Sequence, residues 1–226
     1  LRMTLEEFRE KWEENEDWAP GWDALEETFD RLYRGQKPTH FGTLLPSRAA
    51  FGGNEYLDGY SMYQSPKGYK HLLTFGMSEL YAEEEALGGE YSKWGYEMTV
   101  KLKEKEEKEC MWAVDMLSNL ARYTFQNNAF FEEFQYISGD GTSICKDRKS
   151  EITALITVPD TEISPIDTLY GRVEFIQLVG ITERELQKIQ ENPENIKLLY
   201  ERMKEENPDL VLDLDRTKSY LYQKET

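Results

Sequence analysis

Histidine and cysteine are scarce: the 226 residues include two of each, His40, His71, Cys110 and Cys145. A metal centre would have to draw on them together with remote carboxylates, and no ligand-like spacing joins them. The cysteines lie far apart, as expected of two separate thiols in a reduced, cytoplasmic compartment. Basic residues are also few, 27 Lys and Arg against 44 Asp and Glu, for a formal net charge of −17. Phosphate backbones and anionic lipid surfaces both demand cations, so neither nucleic acid nor a membrane is an expected partner. No apolar run approaches the ~18 residues of a membrane-spanning helix, and residues 1–17 lack the apolar centre of a signal peptide. Neither a Gly-Lys-Ser phosphate loop nor a Gly-x-Gly-x-x-Gly turn is present, so no nucleotide and no other cofactor is expected. Gly76-Met77-Ser78-Glu79-Leu80 lacks the final glycine that a nucleophile elbow needs to expose its hydroxyl. Ser78 is instead expected to cap a turn or helix.

What is present is enough apolar material for a sizeable core, with 39% hydrophobic and 13% aromatic residues. From Trp94 to Leu102 the alternation is complete. Trp94, Tyr96, Met98, Val100 and Leu102 share one face, while Gly95, Glu97, Thr99 and Lys101 share the other. Such a period of two predicts a half-buried strand whose polar set is the more exposed. Further strands are expected at 59–63, 69–75, 152–158 and 172–180, with an extended piece at 41–45, loop over 46–54, and a last short strand at 210–212.

Helix signals alternate with them. Thr4 and Glu7 have capping-box spacing ahead of Leu5, Phe8 and Trp12, and Pro20-Gly21 then breaks the chain. A Trp22, Leu25, Phe29, Leu32 stripe predicts a helix over 22–33 closed at Gly35. Lys101 to Lys108 reads as a solvated hairpin or helix entry before a helix at 111–126. Phe125, Phe130, Phe131 and Phe134 read as core beneath a loop, Gly139-Asp140-Gly141 as a turn, and 159–165 as an exposed acidic connection. Thr182 with Glu185 forms a second capping box, with Ile181 and Leu186 as its staple, and Asn192-Pro193 divides the helical stretch 183–204. The expectation is one α+β domain: a central mixed or mostly antiparallel sheet flanked by helices over 18–226, with the acidic amphipathic helix of 1–17 appended.

Several ordered blocks resemble the suppressor-of-fused family: Tyr60 to Tyr63, His71 to Tyr81, Gly95 to Leu102, Leu120 to Tyr123, Gly171 to Ile181, and Asp213 to Arg216. The resemblance runs from about Pro20 to Arg216 and is to the N-terminal domain of the two-domain animal members, so the chain is expected to end where the second domain would begin. It implies a suppressor-of-fused-like fold and a non-catalytic binder. Animal members clamp an extended peptide of a transcription factor between two domains. Stand-alone bacterial versions resemble immunity proteins that neutralise a toxin, which makes a basic toxin the expected protein partner. A regulatory scaffold for another intracellular protein is the alternative, and a carboxylate-dependent hydrolase a more remote one.

The acidity has two open explanations, solubility and steering toward a basic partner. The candidate binding residues are Asp58, Glu79, Tyr81, Glu83, Glu84 and Glu85, five of them on the 76–92 loop beside the most family-like block. Glu79 falls where the family carries Asp, and Gly88-Gly89 are expected to let the loop adapt. Nothing in the residues sets an oligomeric state.

Overall fold

A computed structural model describes residues 3–42 and 56–221. The helices are α1 (Leu5–Glu14), α2 (Pro20–Leu32), α3 (Met111–Asn127), α4 (Glu183–Glu191) and α5 (Asn195–Glu206). The strands are β1 (Thr39–Gly42), β2 (Gly59–Gln64), β3 (Lys70–Phe75), β4 (Tyr91–Leu102), β5 (Tyr136–Ile137), β6 (Ile152–Pro159), β7 (Ile166–Thr168) and β8 (Gly171–Thr182). All join one mixed sheet of order β1-β2-β3-β4-β8-β6-β5, with β7 paired to β8. Among the described strands, only β4 and β8 pair in parallel. The expected strands at 59–63, 69–75, 94–102, 152–158 and 172–180 and the α+β architecture hold. The expected loop at 46–54 and most of the extended piece at 41–45 lie outside the described residues. Leu212 forms a single parallel bridge to Leu102 rather than a strand.

Both capping boxes form as their spacing requires, Thr4 with Glu7 and Thr182 with Glu185. Glu185 also receives Arg216 at 2.9 and 3.1 Å and the Tyr220 backbone N–H, so one cap fastens the C-terminal segment as well. The helical stretch after β8 breaks at Asn192-Pro193 into α4 and α5.

Three apolar clusters hold the layers together. Ala113, Leu117 and Ala121 of α3 pack on Tyr96, Met98 and Val100. Leu25 and Phe29 of α2 pack on the other face, on Leu73, Phe75, Val173 and Phe175. Alongside, α4 and α5 cover Ala154, Ile156, Val179 and Ile181. The central strand β4 therefore has cover on both sides, and the half-buried expectation fails. Glu97, Thr99 and Lys101 are each 0% exposed, while Trp94 of the apolar set is only half-buried. Alternation reports that two faces differ in polarity; it does not report which of them meets water.

The polar face is buried because its groups find partners. Asp160 accepts from Thr99 at 2.6 Å, pairs with His71 Nε2 at 2.9 Å, and lies 3.6 Å from the Lys101 ammonium. Lys101 also reaches Glu162 at 3.2 Å and the Thr161 hydroxyl. His71 Nδ1 meets the Tyr33 hydroxyl at 2.7 Å, so both ring nitrogens are hydrogen-bonded in the core. Two expectations are corrected here. Lys101 is a core cation rather than the start of a solvated run, and the 159–165 connection turns Asp160 and Ile163 inward over β4. Among the four phenylalanines, Phe131 is buried but Phe130 stands 54% exposed.

Candidate protein-binding surface

The loop between β3 and β4 is built on a buried carboxylate. Glu97 accepts the backbone N–H groups of Gly76, Met77 and Ser78 at 3.1, 3.3 and 2.9 Å, and the hydroxyls of Thr74 and Ser78 at 2.6 Å each. Burial raises the Glu97 carboxyl above its ordinary value, and the Ser78 and Thr74 hydroxyls with the backbone donors pull against that without cancelling it. Ser78 is thus neither a cap nor a reachable nucleophile, since its hydroxyl is spent on Glu97 and it is buried. Gly76 sits at φ +128°, with the backbone nitrogen and a carboxylate oxygen of Asp58 each 3.0 Å from where a Cβ would lie. Only glycine fits that turn.

Beyond the turn the loop is pinned along its length. Leu80 O accepts from the N–H groups of Gly21 and Trp22 at 3.0 and 3.1 Å, so α2 holds its middle. Glu79 N–H donates to Ser92 at 2.9 Å. The Tyr170 hydroxyl donates to Tyr81 O at 2.5 Å and accepts the Glu83 N–H at 3.1 Å. Gly88 N–H reaches Leu169 O, and Arg172 N–H reaches Glu90 O, both at 2.9 Å. A Cβ on Gly89 would lie 2.9 Å from Tyr170 O, so that glycine serves close approach of two backbones. The expected adaptable loop is a fastened one.

The six candidate residues part company on this scaffold. Asp58 is buried and accepts from the Tyr81 hydroxyl at 3.2 Å, so it positions Tyr81 rather than facing outward. Glu79 is half-buried and accepts the Leu80 N–H at 3.2 Å. Glu84 is held by Arg9 of α1 through two hydrogen bonds at 2.7 and 2.5 Å, and that guanidinium keeps its carboxyl below the usual range. The Arg9 contact and the fully buried Phe8 seat α1 on the body of the domain. Glu83, Glu85 and Glu90 face solvent, together with Tyr81 and Tyr91, which are 42% and 54% exposed. Two acids of the other family-like blocks, Glu97 and Asp213, do not join them. Glu97 is sealed, and Asp213 pairs with Lys103 at 2.6 Å beyond the other end of β4.

Next to Tyr91 runs a groove of about 1010 Å³ that the residue pattern did not reveal. Between the pairs Tyr91↔Arg172 and Tyr96↔Glu174, five residues of β4 advance against two of β8. The surplus backbone bulges, with Lys93 and Gly95 at φ +54° and +82°. Lys93 Nζ donates to Gly76 O at 2.8 Å and Trp94 N–H to Met77 O at 3.0 Å, which ties the bulge to the turn beneath the loop. Trp94, Phe130 and Phe134 line the groove with the paired Arg172 and Glu174, 2.6 Å apart. Gly95 within an otherwise alternating strand was the available signal, because a strand-interior glycine often marks a bulge. Among the described residues, no group of three or more His, Cys, Asp or Glu is arranged to hold a metal ion, and no helix is long and apolar enough to cross a membrane.

Taken together, these elements define an α+β domain that displays a pinned acidic loop and an aromatic groove at the end of its central strand. The suppressor of fused protein family profile matches residues 53–217, and the chain belongs to that family. It is 31% identical over 153 residues to the human suppressor of fused homolog, covering 62% of this chain and 31% of that protein, and the mouse homolog matches to the same extent. The chain thus spans about a third of the length of these relatives. Among solved structures, the Sufu–Fu complex aligns with a TM-score of 0.76 at 26% identity over 89% of this chain and 92% of that one. Drosophila Suppressor of Fused gives the same score, identity and coverage of this chain, with 51% of its own chain matched. A putative suppressor of fused homolog from Neisseria gonorrhoeae FA 1090 shares the fold, with a TM-score of 0.58 at 13% identity over 90% of this chain and 98% of that one.

Proposed function

We propose that this chain is a binding module without turnover of its own, and that it captures a basic protein on the surface formed by Glu79, Glu83, Glu85 and Glu90 with Tyr81 and Tyr91. The partner we favour is a bacterial toxin, which the chain neutralises by occupying its cationic cleft. The observation that carries this reading is the placement of solvent-facing acids and tyrosines on a loop with no slack: Leu80, Tyr81, Glu83, Gly88 and Glu90 are all tied by backbone hydrogen bonds. A pre-ordered loop loses little entropy on binding, and tyrosines supply contact area with few rotors. The acids act mainly on encounter rate, since exposed ion pairs are each worth only about 0–1 kcal/mol.

The test is growth rescue by the chain against a basic toxin encoded beside its gene, with association rates measured by surface plasmon resonance. Rescue is expected for the unaltered chain. The association rate should fall as salt shortens the Debye length from ~10 Å at 0.1 M toward ~3 Å at 1 M. The triple variant Glu83→Gln, Glu85→Gln, Glu90→Gln should associate more slowly at low salt and protect less well. A triple variant that associates as fast as the unaltered chain removes this loop from the interface. A regulatory scaffold is the second reading, favoured by the match to a structure of Sufu with Fu. It predicts binding to an intracellular protein with no protection of growth.

A further inference from the structure

A pocket of about 430 Å³ lies near the far end of β4, between the strand's exit, the start of α3 and the 213–215 segment. Its walls carry four acids, Glu104, Glu109, Asp213 and Asp215, against two cations, Lys103 and Arg148. Both cations are engaged, Lys103 with Asp213 at 2.6 Å and Arg148 with Asp215. That leaves Glu104 with only the more distant Arg148, at 3.5 Å, and Glu109 with no paired cation among the described residues. Glu104 is the informative one. Its side chain is only 8% exposed, its Oε1 lies 3.5 Å from Arg148, and its Oε2 has no hydrogen-bond partner among the described residues. The indole Nε1–H of Trp112, on the same wall, is likewise buried without an acceptor. A buried acceptor and a buried donor left unmade each cost about 1–3 kcal/mol, and here the two residues line one cavity.

We infer that this pocket is a binding site for a guanidinium group with a neighbouring acceptor oxygen. The group's N–H fork would take Glu104 and its plane would lie against the Trp112 ring, while the oxygen receives the indole N–H. A guanidinium suits the site better than an ammonium: it is planar, carries five donors and sheds water more readily. Burial raises the Glu104 carboxyl, and its own backbone N–H and Arg148 pull against that without cancelling it. Arg148 stands at the mouth with its side chain 42% exposed and its guanidinium paired with Asp215. The shared chemistry has two sources, a small guanidino compound or an arginine side chain of a docking protein. The site is separate from the 76–92 loop and does not depend on the function proposed for it.

The experiment titrates the full chain with N-acetyl-arginine-methylamide, N-acetylagmatine and the neutral isostere N-acetyl-citrulline-methylamide, following the indole 15N–1H resonances. The chain has five tryptophans, so Trp112→Phe assigns the relevant signal. The arginine amide should displace the Trp112 resonance saturably in the ~mM range, as befits so small a ligand. The citrulline amide, and the arginine amide on Glu104→Gln, should each bind at least about tenfold more weakly. If N-acetylagmatine binds as well as the arginine amide, the source is a free guanidino compound; if only the arginine amide binds, it is a peptide arginine. A Trp112 signal unmoved by either guanidinium probe, or moved equally by the citrulline amide on the unaltered chain, overturns the inference. Glu104→Gln that keeps its melting transition and binds with unchanged affinity overturns it too.

Discussion

Met98 and Val100 point from β4 toward α3, while Thr99 and Lys101 point the other way, and all four are 0% exposed. The two faces are equally dry but are held by different means. The α3 face is apolar packing, stabilised by area removed from water at roughly 25 cal/mol per Å² and tolerant of volume-conserving change. The opposite face is a closed set of charge pairs and hydrogen bonds, in which each group is cheap only while its partner is present. Within that polar face two carboxylates diverge again. Burial opposes ionisation of Asp160, but His71, Lys101 and Thr99 outweigh it and hold its carboxyl well below the ordinary range. Glu97 has only neutral donors around it and is raised. One strand thus carries a region held by shape and a region held by charge, and perturbations should tell them apart.

The largest expected effect is on the charged side. Asp160→Ala takes the carboxylate from His71 and Thr99 and leaves Lys101 with Glu162 alone, and should cost roughly 3–5 kcal/mol in urea unfolding; a loss below about 1 kcal/mol would mean that charge pairing does not hold this face. Met98→Ala on the α3 face should cost about 2–4 kcal/mol through the cavity it leaves, with no dependence on pH. Acid titration sharpens the contrast. Because the Asp160 value is depressed in the folded state, its contribution is complete above the unfolded Asp value of about 3.9 and is lost as pH falls below it. Stability of the unaltered chain should decline there by up to about 1.4 kcal/mol per pH unit from this group, and Asp160→Asn should flatten the decline. Glu97 has the reverse sign: raised on folding, it contributes most below the ordinary Glu value of about 4.3 and loses that contribution as pH rises through its folded value. Glu97→Gln should therefore cost only about 1–2 kcal/mol near neutrality, and would show in hydrogen exchange of the Gly76, Met77 and Ser78 amides. The smallest effect belongs to the surface. Glu83→Gln with Glu85→Gln should leave stability within about 0.5 kcal/mol, because no ladder or core group depends on them.

How much could be read in advance depended on whether the signal was local. Thr4 with Glu7 and Thr182 with Glu185 specify their helix starts within four residues, and both boxes form. Period-two runs located β2, β3, β4, β6 and β8 because each strand's two faces meet chemically different neighbours. The acidic loop was found as well, since five glutamates in fifteen residues stand out whatever the fold. Which of those acids remain open was not legible: Arg9 claims Glu84 across 75 residues, and Asp58 turns inward beneath Tyr81.

By itself, then, the sequence determined the element types, the α+β class, the family blocks and the sign of the surface charge, because propensity, periodicity and net charge are properties of neighbouring residues or of sums over the chain. Only the tertiary structure decided that the Glu97, Thr99, Lys101 face is core. That outcome required Asp160 and Glu162 to arrive from another strand's exit and close the circuit around Lys101 and His71. Likewise the groove beside Tyr91 exists only where β4 and β8 fall out of register. Burial of a polar group is a statement about which distant partner comes within hydrogen-bonding reach, and that distance is set by the packing of the whole chain.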